Sequence, residues 1–348
     1  MSGQLTIALD AMGGARAPAM VVRGANIALR RFPRTRFMLF GDQAQLRRLL
    51  KRRRRLRKAC TIHHTEEVVR DDAKPSVALR TGRRTSMRLA IDAVGDGAAD
   101  GVVSAGNTGA LMAMAKYVLK TLPGIDRPAI ATFFPTSRGE SVMLDLGANV
   151  DSDAENLVQF AVMGEVFARS VLGLIQPTVG LLNVGAEDVK GREAVKTASA
   201  VLRDSDLPIE FHGFIEGDDI TAGTVDVIVT DGFTGNIAIK TAEGTARLYT
   251  EFLRQAFKSS PFARLGYLLA RRALKKLRAQ VDPRGYNGAM FLGLNGIAVK
   301  SHGSTDALGL ANAIGVAIDM AKGGVNEKIK EEFRRLALAR ENKWRAVS

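Results

Sequence analysis

The chain alternates between short apolar runs and longer segments of helical periodicity, with glycine and polar residues between them. Runs rich in aliphatic and β-branched residues predict strands near 5–9, 37–40, 101–104, 129–134, 141–146, 178–182, 225–229 and 290–300. Apolar positions that recur about every 3.6 residues predict helices near 18–31, 43–58, 76–94, 153–171, 189–203, 305–321 and 325–339, and further helices that begin near 107 and 234. The runs near 129–134 and 141–146 flank a turn and predict a hairpin.

This alternation of strand, turn and helix predicts an α/β fold, specifically a three-layer α/β/α sandwich with a mostly parallel sheet. The ten prolines are scattered, and neither an internal repeat nor a low-complexity linker divides the chain. We therefore expect a single catalytic domain over 1–348, with 258–284 as an inserted, protruding helical element.

Composition narrows the class of protein further. The single cysteine, Cys60, excludes an internal disulfide and a cysteine-built metal site. The four histidines show no metal-ligand spacing, and no apolar run approaches the roughly 18 residues of a membrane span. Because the first residues also lack the pattern of a secretory signal, we expect a cytoplasmic protein without a metal or another cofactor.

The net charge of +14 is concentrated in two segments. Positions 47–58 hold nine basic residues and positions 264–278 hold six, with no acid in either, so the rest of the chain is close to neutral. Such patches attract an acidic protein, an anionic lipid or a nucleic acid, although a solvated helix face would also explain 47–58. Neither patch interleaves aromatic residues for base stacking, which disfavours nucleic acid.

The second basic segment has the pattern of an amphipathic helix. One stripe at helical spacing is apolar and consists of Phe262, Leu265, Leu269, Ala273 and Leu277. Basic side chains gather on the opposite side, namely Arg264, Arg271, Lys275 and Arg278. The pattern is typical of an element that binds a membrane surface or a partner, and a helix packed on the core with a solvated back remains the alternative.

Familiar catalytic motifs are absent from the sequence. It contains no phosphate-binding P-loop, no H-E-x-x-H and no G-x-S-x-G, which disfavours covalent catalysis through serine or cysteine. Six glycine–polar loops instead follow predicted strands: DAMGG at 10–14, SAGNTGA at 104–110, DLGANVD at 145–151, LLNVG at 181–185, TDGFTGN at 230–236 and SHGST at 301–305. Loops at the carboxyl ends of strands line the ligand crevice of open α/β sheets, and their N–H groups bind anions. The pattern predicts an anion-binding α/β enzyme.

Taken in order, these loops resemble the phosphate acyltransferase (PlsX) family of bacterial phospholipid synthesis. The resemblance also includes RPAIA at 127–131, KG at 190–191, EGDD at 216–219 and FLGLNG at 291–296, and it extends from about residue 5 to 320. The chain departs from the family pattern at Ala15, Ala186 and Phe214, where the family commonly has Asp, Glu and Asn.

The resemblance implies an isopropylmalate dehydrogenase-like fold, a homodimer, and transfer of a fatty acyl group to inorganic phosphate. The donor would be acyl-carrier-protein, an acidic protein that a basic patch would attract. From the amphipathic segment we also expect peripheral contact with an anionic membrane or with a downstream membrane acyltransferase, and from the lack of interleaved aromatic residues we expect no nucleic acid partner. A phosphotransacetylase-like enzyme that uses acyl-CoA, a dehydrogenase of the same fold that uses NAD, and a non-catalytic basic scaffold are the alternatives.

The resemblance also implies site residues. Lys190 and Asn236 are the catalytic candidates, through a positive charge on the phosphate or oxyanion and a hydrogen bond to the same oxygen; a surface lysine and a helix N-cap are their structural alternatives. Residues expected to line the pocket are Gly13, Gly14, Ser104, Gly106, Asn107, Thr108, Asn149, Asp231, Gly232 and His302. A thioester is already electrophilic and phosphate is already anionic, so neither a strong base nor an enzyme nucleophile is required.

Overall fold

A computed structural model of the protein describes residues 4–205, 207, 209–280 and 287–347. Strands and helices alternate along this part of the chain. The strands are β1 (Thr6–Asp10), β2 (Arg36–Gly41), β3 (Cys60–His64), β4 (Gly101–Ser104), β5 (Ala129–Thr136), β6 (Gly139–Leu144), β7 (Thr178–Leu182), β8 (Glu210–Ile215), β9 (Val227–Val229), β10 (Ala289–Leu292) and β11 (Ile297–Lys300). The helices are α1 (Ala19–Arg31), α2 (Gln43–Leu50), α3 (Arg54–Lys58), α4 (Pro75–Thr81), α5 (Ser86–Gly95), α6 (Thr108–Leu119), α7 (Ala154–Phe167, followed by a π-helical turn), α8 (Glu193–Asp204), α9 (Gly217–Ala222), α10 (Gly232–Lys258), α11 (Pro261–Gln280), α12 (Ala307–Gly323) and α13 (Val325–Val347).

All the strands join one sheet in the order β3-β2-β1-β4-β11-β10-β5-β6-β9-β7-β8. Successive residues of the central strands enter different apolar clusters on the two faces of this sheet. Ile7 and Leu9 pack with α1 and α12, whereas Ala8 packs with α5 and α6. Helices therefore cover both faces, and the predicted three-layer α/β/α fold with a mostly parallel sheet is confirmed.

The sense of the strands reverses in the middle of the sheet. β10 is antiparallel to both β11 and β5, and β5 forms the predicted antiparallel hairpin with β6. The strands β1, β2, β3, β4 and β11 consequently run one way, and β6, β7, β8 and β9 run the other way. The loops at the carboxyl ends of these two sets of strands therefore lie at opposite ends of the sheet, measured along the strands. The glycine–polar loops are thereby divided into two groups.

Two predicted helices are each broken in two. The basic segment near 43–58 forms α2 and α3, because Leu46 and Leu50 are buried on one helix and Leu56, six residues further on, is buried on the next. Six residues do not return to the same helical face, so a break is needed to bury all three. The segment near 76–94 breaks after α4, and Thr85 caps α5 with a hydroxyl that accepts from the N–H of Arg88.

The two edge strands were not predicted from the sequence. β3 and β8 carry polar residues such as His64 and His212. No residue of β3 is buried and only the last three of β8 are, so these strands lack the apolar signal of the central strands. The helix predicted near 189–203 begins only at Glu193, which leaves residues 183–192 as a loop.

The helix α11 lies within the segment 258–284 that was predicted as an inserted, protruding element, and α10 precedes it in the chain. They pack against each other, with the rings of Phe257 and Tyr267 5.5 Å apart. The apolar stripe of α11 is exposed, with Phe262 87% and Leu269 79% accessible, so the alternative of a helix packed on the core is wrong. Residues 281–284 and the side chain of Leu277 lie outside the described residues.

Among the described residues, no single helix is long and apolar enough to cross a membrane. The helix α12 and residues 325–337 are together long and apolar enough, by length and composition only, but a bend of 50° separates them.

The first turn of α10 lies against the loop that follows β6. The N–H of Gly232 donates to the carbonyl oxygen of Asn149 at 2.8 Å. A Cβ atom on Gly232 would overlap that same carbonyl, and a Cβ on Gly235 would overlap the carbonyl oxygen of Asp145. Glycine at these two positions therefore permits a close backbone approach that any side chain would prevent.

A matched pair of glycine substitutions on α10 tests this close approach. Gly235→Ala should lower the free energy of unfolding by about 1–3 kcal/mol or more, because the new methyl overlaps backbone that cannot move independently. Gly244→Ala, where a Cβ meets open space, should raise it by about 0.5–1 kcal/mol through helix propensity. Urea unfolding of both variants measures the two effects, and equal stabilisation by both would contradict the packing described here.

Candidate active site

The first cluster of loops lies where β1, β4 and β11 end, and it is organised around Asp10. This carboxylate is 2% exposed and accepts hydrogen bonds from the hydroxyls of Ser86 and Ser104, each at 2.6 Å. It also accepts from the N–H groups of Met12 and Gly13 at 3.3 and 3.1 Å. Burial raises the pKa of Asp10, and the hydrogen bonds from Ser104 and Ser86 oppose that rise. The carboxylate therefore shapes the DAMGG loop from beneath.

The three loops of this cluster close against one another. The N–H of Ala15 donates to the carbonyl oxygen of Gly303 at 3.0 Å. A Cβ on Gly14, whose φ is +95°, would lie 2.9 Å from Cβ of Ala105. Four of the predicted pocket residues take part in this junction, namely Gly13, Gly14, Ser104 and Gly106. Thr108 and His302 are the predicted residues of this cluster that are exposed.

Asn107 has a structural role in this cluster. Its side-chain oxygen accepts from the N–H of Ala110 at 2.9 Å and so caps α6. Its amide nitrogen donates to the carbonyl oxygens of Asp71 and Ala73 at 2.8 and 3.1 Å. The side chain thus holds the neighbouring loop against the helix start.

A buried lysine lies beneath the same cluster. Lys300 is 8% exposed, and its ammonium donates to the carbonyl oxygen of Ser301. Burial lowers the pKa of Lys300 to about 8, although the charges of Asp10 and Asp71 oppose the change. The pKa of His302 is also lowered, chiefly because its imidazole ring is partly desolvated although the residue as a whole is exposed, and then by the charge of Lys300.

The second cluster lies at the opposite end of the sheet, where β6, β7 and β9 end, and it is organised around Asp145. This carboxylate is fully buried and accepts from the N–H groups of Ile130 and Ala148 at 2.9 and 3.1 Å. Its other oxygen accepts from the backbone and side-chain nitrogens of Asn149 at 2.7 and 2.9 Å. Burial raises the pKa of Asp145, and all these hydrogen bonds act against that rise. Asp145 therefore determines the path of the DLGANVD loop.

Gly147 and Asn236 form the exposed surface of the second cluster. Gly147 has a φ of +114°, and a Cβ there would lie 3.7 Å from Cβ and Cγ of Asn236. Asn236 is exposed and is the fifth residue of α10. The N-cap of this helix is Asp231, whose carboxylate accepts from the N–H of Thr234 at 2.8 Å. Asn236 is thus not a cap, and its amide faces the surface beside Gly147.

Lys190 belongs to the loop 183–192, which follows β7 at the same end of the sheet. Its ammonium lies 2.8 Å from the carboxylate of Glu187, and its side chain is 49% exposed. The hydrogen bond and then the charge of Glu187 raise the pKa of Lys190, so this amine is charged at neutral pH. The side chain of Asn183 donates to the carbonyl oxygens of Gly185 and Lys190, each at 3.1 Å, and supports the loop from inside.

Arg192 connects this loop to the rest of the second cluster. Its guanidinium donates to Asp231 at 2.8 Å and to Asp151. The hydrogen bond with Asp151 and the charge of Asp231 raise the pKa of Arg192. Arg127, from the RPAIA segment, also donates to the carbonyl oxygen of Asp151, at 3.4 Å.

The predicted site residues therefore fall into two groups instead of one crevice. The loops and the helix start of the second cluster hold Asn149, Asp231, Gly232, Asn236 and also Lys190, whose loop is joined to Asp231 through Arg192. The first cluster contains the remaining ones. The helix α10 starts in the second cluster and extends towards the first. The charges of Glu243, Lys240 and Arg247 on this helix therefore act on the pKa of His302.

Four residues that organise these clusters were missed by the sequence reasoning. Asp10 and Asp145 each follow a buried strand and begin a glycine loop, and that position was the signal that could have identified them. Lys300 also ends a buried strand, where a charged residue is unusual. Arg192 gave no local signal, since both its partners are distant along the chain.

Among the described residues, no group of three or more His, Cys, Asp or Glu side chains could hold a metal ion. The second cluster has the chemistry of an anion site, since the ammonium of Lys190 and the amide of Asn236 supply hydrogen-bond donors.

Solved structures define the class of fold. The chain is similar to a phosphotransacetylase from Streptococcus pyogenes, with a TM-score of 0.62 at 19% identity over 92% of this chain and 95% of that one. It is also similar to a branched-chain phosphotransacylase from Enterococcus faecalis, with a TM-score of 0.57 at 12% identity over 91% and 99%. This three-layer α/β/α fold is therefore one found in phosphotransacylases.

Sequence comparison gives the family. A family model described as a fatty acid synthesis protein matches residues 5–328. A phosphate acyltransferase from Rhodospirillum centenum is 66% identical over 341 residues, which cover 98% of this chain and 96% of that protein. A phosphate acyltransferase from Paramagnetospirillum magneticum is 62% identical over 336 residues, covering 97% and 96%. The chain belongs to the phosphate acyltransferase family.

The buried lysine of the first cluster gives a testable pH dependence. The lysine pKa falls from 10.5 to about 8 on folding, so between these values the unfolded state binds more protons and stability rises with pH. The cost of burying the charged amine is present below about pH 8 and is gone near pH 10.5. Relative to Lys300→Met, the wild-type free energy of unfolding should rise by about 2 kcal/mol from about pH 7.5 to 10. A difference between the two proteins that stays constant over this pH range would contradict the burial of a charged amine.

Proposed function

We propose that this protein transfers a fatty acyl group from the thioester of acyl-carrier-protein to inorganic phosphate and releases acyl phosphate for phospholipid synthesis. The observation that carries the proposal is the second cluster, where the exposed amide of Asn236 lies beside Gly147. Arg192, two residues after the charged Lys190, donates to Asp231 at the start of the helix that carries Asn236. Relatives that match almost the whole chain are named phosphate acyltransferases.

The reaction requires positioning more than proton transfer. An oxygen of phosphate forms a bond to the thioester carbonyl carbon, and the carbon–sulfur bond then breaks with its electron pair leaving on sulfur. The thiolate has a pKa near 8.5 by analogy with cysteine, so it leaves without prior protonation. It then takes up a proton from solvent or from the phosphate. No acyl-enzyme intermediate is needed, and no residue of the second cluster acts as a nucleophile.

Lys190 and Asn236 would supply the stabilisation that this reaction needs. The ammonium of Lys190 attracts the phosphate dianion, and its pairing with Glu187 keeps the amine charged. The amide of Asn236 donates to the oxyanion that develops on the carbonyl oxygen. The first cluster would line the path of the donor, with Thr108 and His302 as its exposed side chains.

The basic segments are proposed to bind the acidic carrier protein, and the order of strands favours α11 over α2 and α3. The helices α2 and α3 lie beside the edge strand β3, seven strands from β6 and so roughly 34 Å across the sheet. The helix α11 packs on α10, which carries Asn236 and the basic residues Lys240 and Arg247.

We further propose a cytoplasmic homodimer that contacts an anionic membrane, or the downstream membrane acyltransferase, peripherally. Support comes from the exposed apolar residues of α10 and α11, including Tyr249 at 67%, Phe252 at 56% and Phe262 at 87% accessibility. Contiguous exposed apolar surface of this kind is typical of an interface with a protein or a membrane.

Substitution of the catalytic candidates tests the proposed function. Lys190→Ala and Asn236→Ala should each lower kcat for acyl phosphate formation by about 10²–10³-fold, the usual loss of one preorganised donor. Matched controls are Lys196→Ala, an ion-paired lysine of α8, and Gln255→Ala, an exposed amide further along α10. Both should keep kcat within about twofold of wild type. Acyl phosphate is measured as its hydroxamate, and folding by circular dichroism.

The same assay separates the donors. We expect activity with the acyl-carrier-protein thioester and little with acyl-CoA; the opposite preference would favour a phosphotransacetylase-like enzyme, whose fold this chain shares. Thermal stabilisation by NAD, with none by phosphate, would favour the dehydrogenase alternative. Folded Lys190→Ala and Asn236→Ala variants with wild-type kcat would overturn the site assignment.

Charge reversal tests where the carrier protein binds. Arg271→Glu combined with Arg272→Glu should raise KM for the carrier thioester by about fivefold or more, because the new carboxylates repel an acidic partner. The KM for phosphate should not change. The matched control, Arg47→Glu with Arg48→Glu, makes the same charge change on α2 and should alter the donor KM by less than about twofold. A larger effect from the α2 variant would place the carrier at that edge of the sheet.

A further inference from the structure

Arg192 is the side chain through which three segments of the second cluster meet. It stands two residues after Lys190, at the end of the loop 183–192. Its guanidinium donates at the same time to Asp231, which caps the helix that carries Asn236, and to Asp151, in the loop that carries Gly147. Among the described residues, no other side chain of this loop is hydrogen-bonded to both of those segments.

The two carboxylates differ in a way that makes the contact directional. The side chain of Asp231 is 7% exposed and is already held by the N–H of Thr234 and, at 3.1 Å, by its hydroxyl. The side chain of Asp151 is 77% exposed. Asp231 is therefore the fixed anchor, and Arg192 brings the Lys190 loop and Asp151 to it. With two carboxylates bound, the guanidinium has little free charge to offer phosphate directly.

We propose that Arg192 is a positioning residue, which fixes the loop of Lys190 against the helix start of Asn236 by binding Asp231 and Asp151 together. The inference rests on the proposed function of these two residues. Two groups that must act on one transition state lose much of their effect when one moves by about 1 Å. The planar guanidinium can bind two carboxylates at once in a defined geometry, whereas a lysine in its place offers a single point charge.

The test compares Arg192→Gln and Arg192→Lys with Lys196→Gln, a control that also removes one ion-paired charge from the same stretch of chain. Each variant is made in the wild-type and in the Lys190→Ala background. Acyl phosphate formation gives kcat and the KM values for donor and phosphate, and thermal unfolding gives Tm. The Lys190→Ala proteins are assayed in single turnover, with enzyme in excess.

We expect Arg192→Gln to lower kcat at least tenfold in the wild-type background, with both KM values within threefold and Tm close to that of Lys196→Gln. In the Lys190→Ala background the same substitution should cost less than threefold, because the group that Arg192 positions is gone. Arg192→Lys should recover only part of the loss.

A loss below tenfold in the wild-type background, or one of threefold or more in the Lys190→Ala background, overturns the inference. If Arg192→Gln does not fold, Arg192→Lys is judged by the same two thresholds. Failure of the proposed function is a different result, since the unmodified protein would then form no acyl phosphate from either donor.

Discussion

The buried carboxylate of Asp145 is the constraint on which the candidate active site depends. A fully buried carboxylate is costly unless hydrogen bonds compensate it, and here four N–H donors converge on its two oxygens. Those donors bend the loop that follows β6, so that Gly147 is exposed and the carbonyls of Asp145 and Asn149 face the first turn of α10. Gly232 and Gly235 let that turn approach, and Asn236 is thereby placed beside Gly147. Asp10 shapes the first cluster in the same way.

The reversal of strand sense in the middle of the sheet, completed between β5 and β6, determines where the two clusters lie. It separates a closed first cluster, where glycine loops pack on one another, from a more open second cluster with charged and amide side chains at its surface. The helix α10 starts in the second cluster and passes near His302 of the first. It is thus the element that would relate phosphate binding to donor binding.

The central strands could be predicted because residues buried on both faces of a sheet form continuous apolar runs, as Ile7, Ala8 and Leu9 do. The edge strands β3 and β8 could not, since one side of each is free of the sheet and their residues are more polar. Lys190 and Asn236 were proposed through resemblance alone. The roles of Asp145 and Arg192 depend on contacts with residues distant in the chain, such as Ile130 and Asp231, and no local pattern encodes such contacts.

The most direct measurement of the central claim is a crystal structure with tungstate, a heavy analogue of phosphate that anomalous scattering locates unambiguously. We expect an anion in the second cluster, within hydrogen-bond distance of the ammonium of Lys190 and the amide of Asn236. We also expect Lys190→Ala crystals soaked identically to lack that anion. An anion bound only among the loops of Gly13, Asn107 and His302, with the second cluster empty, would contradict the account.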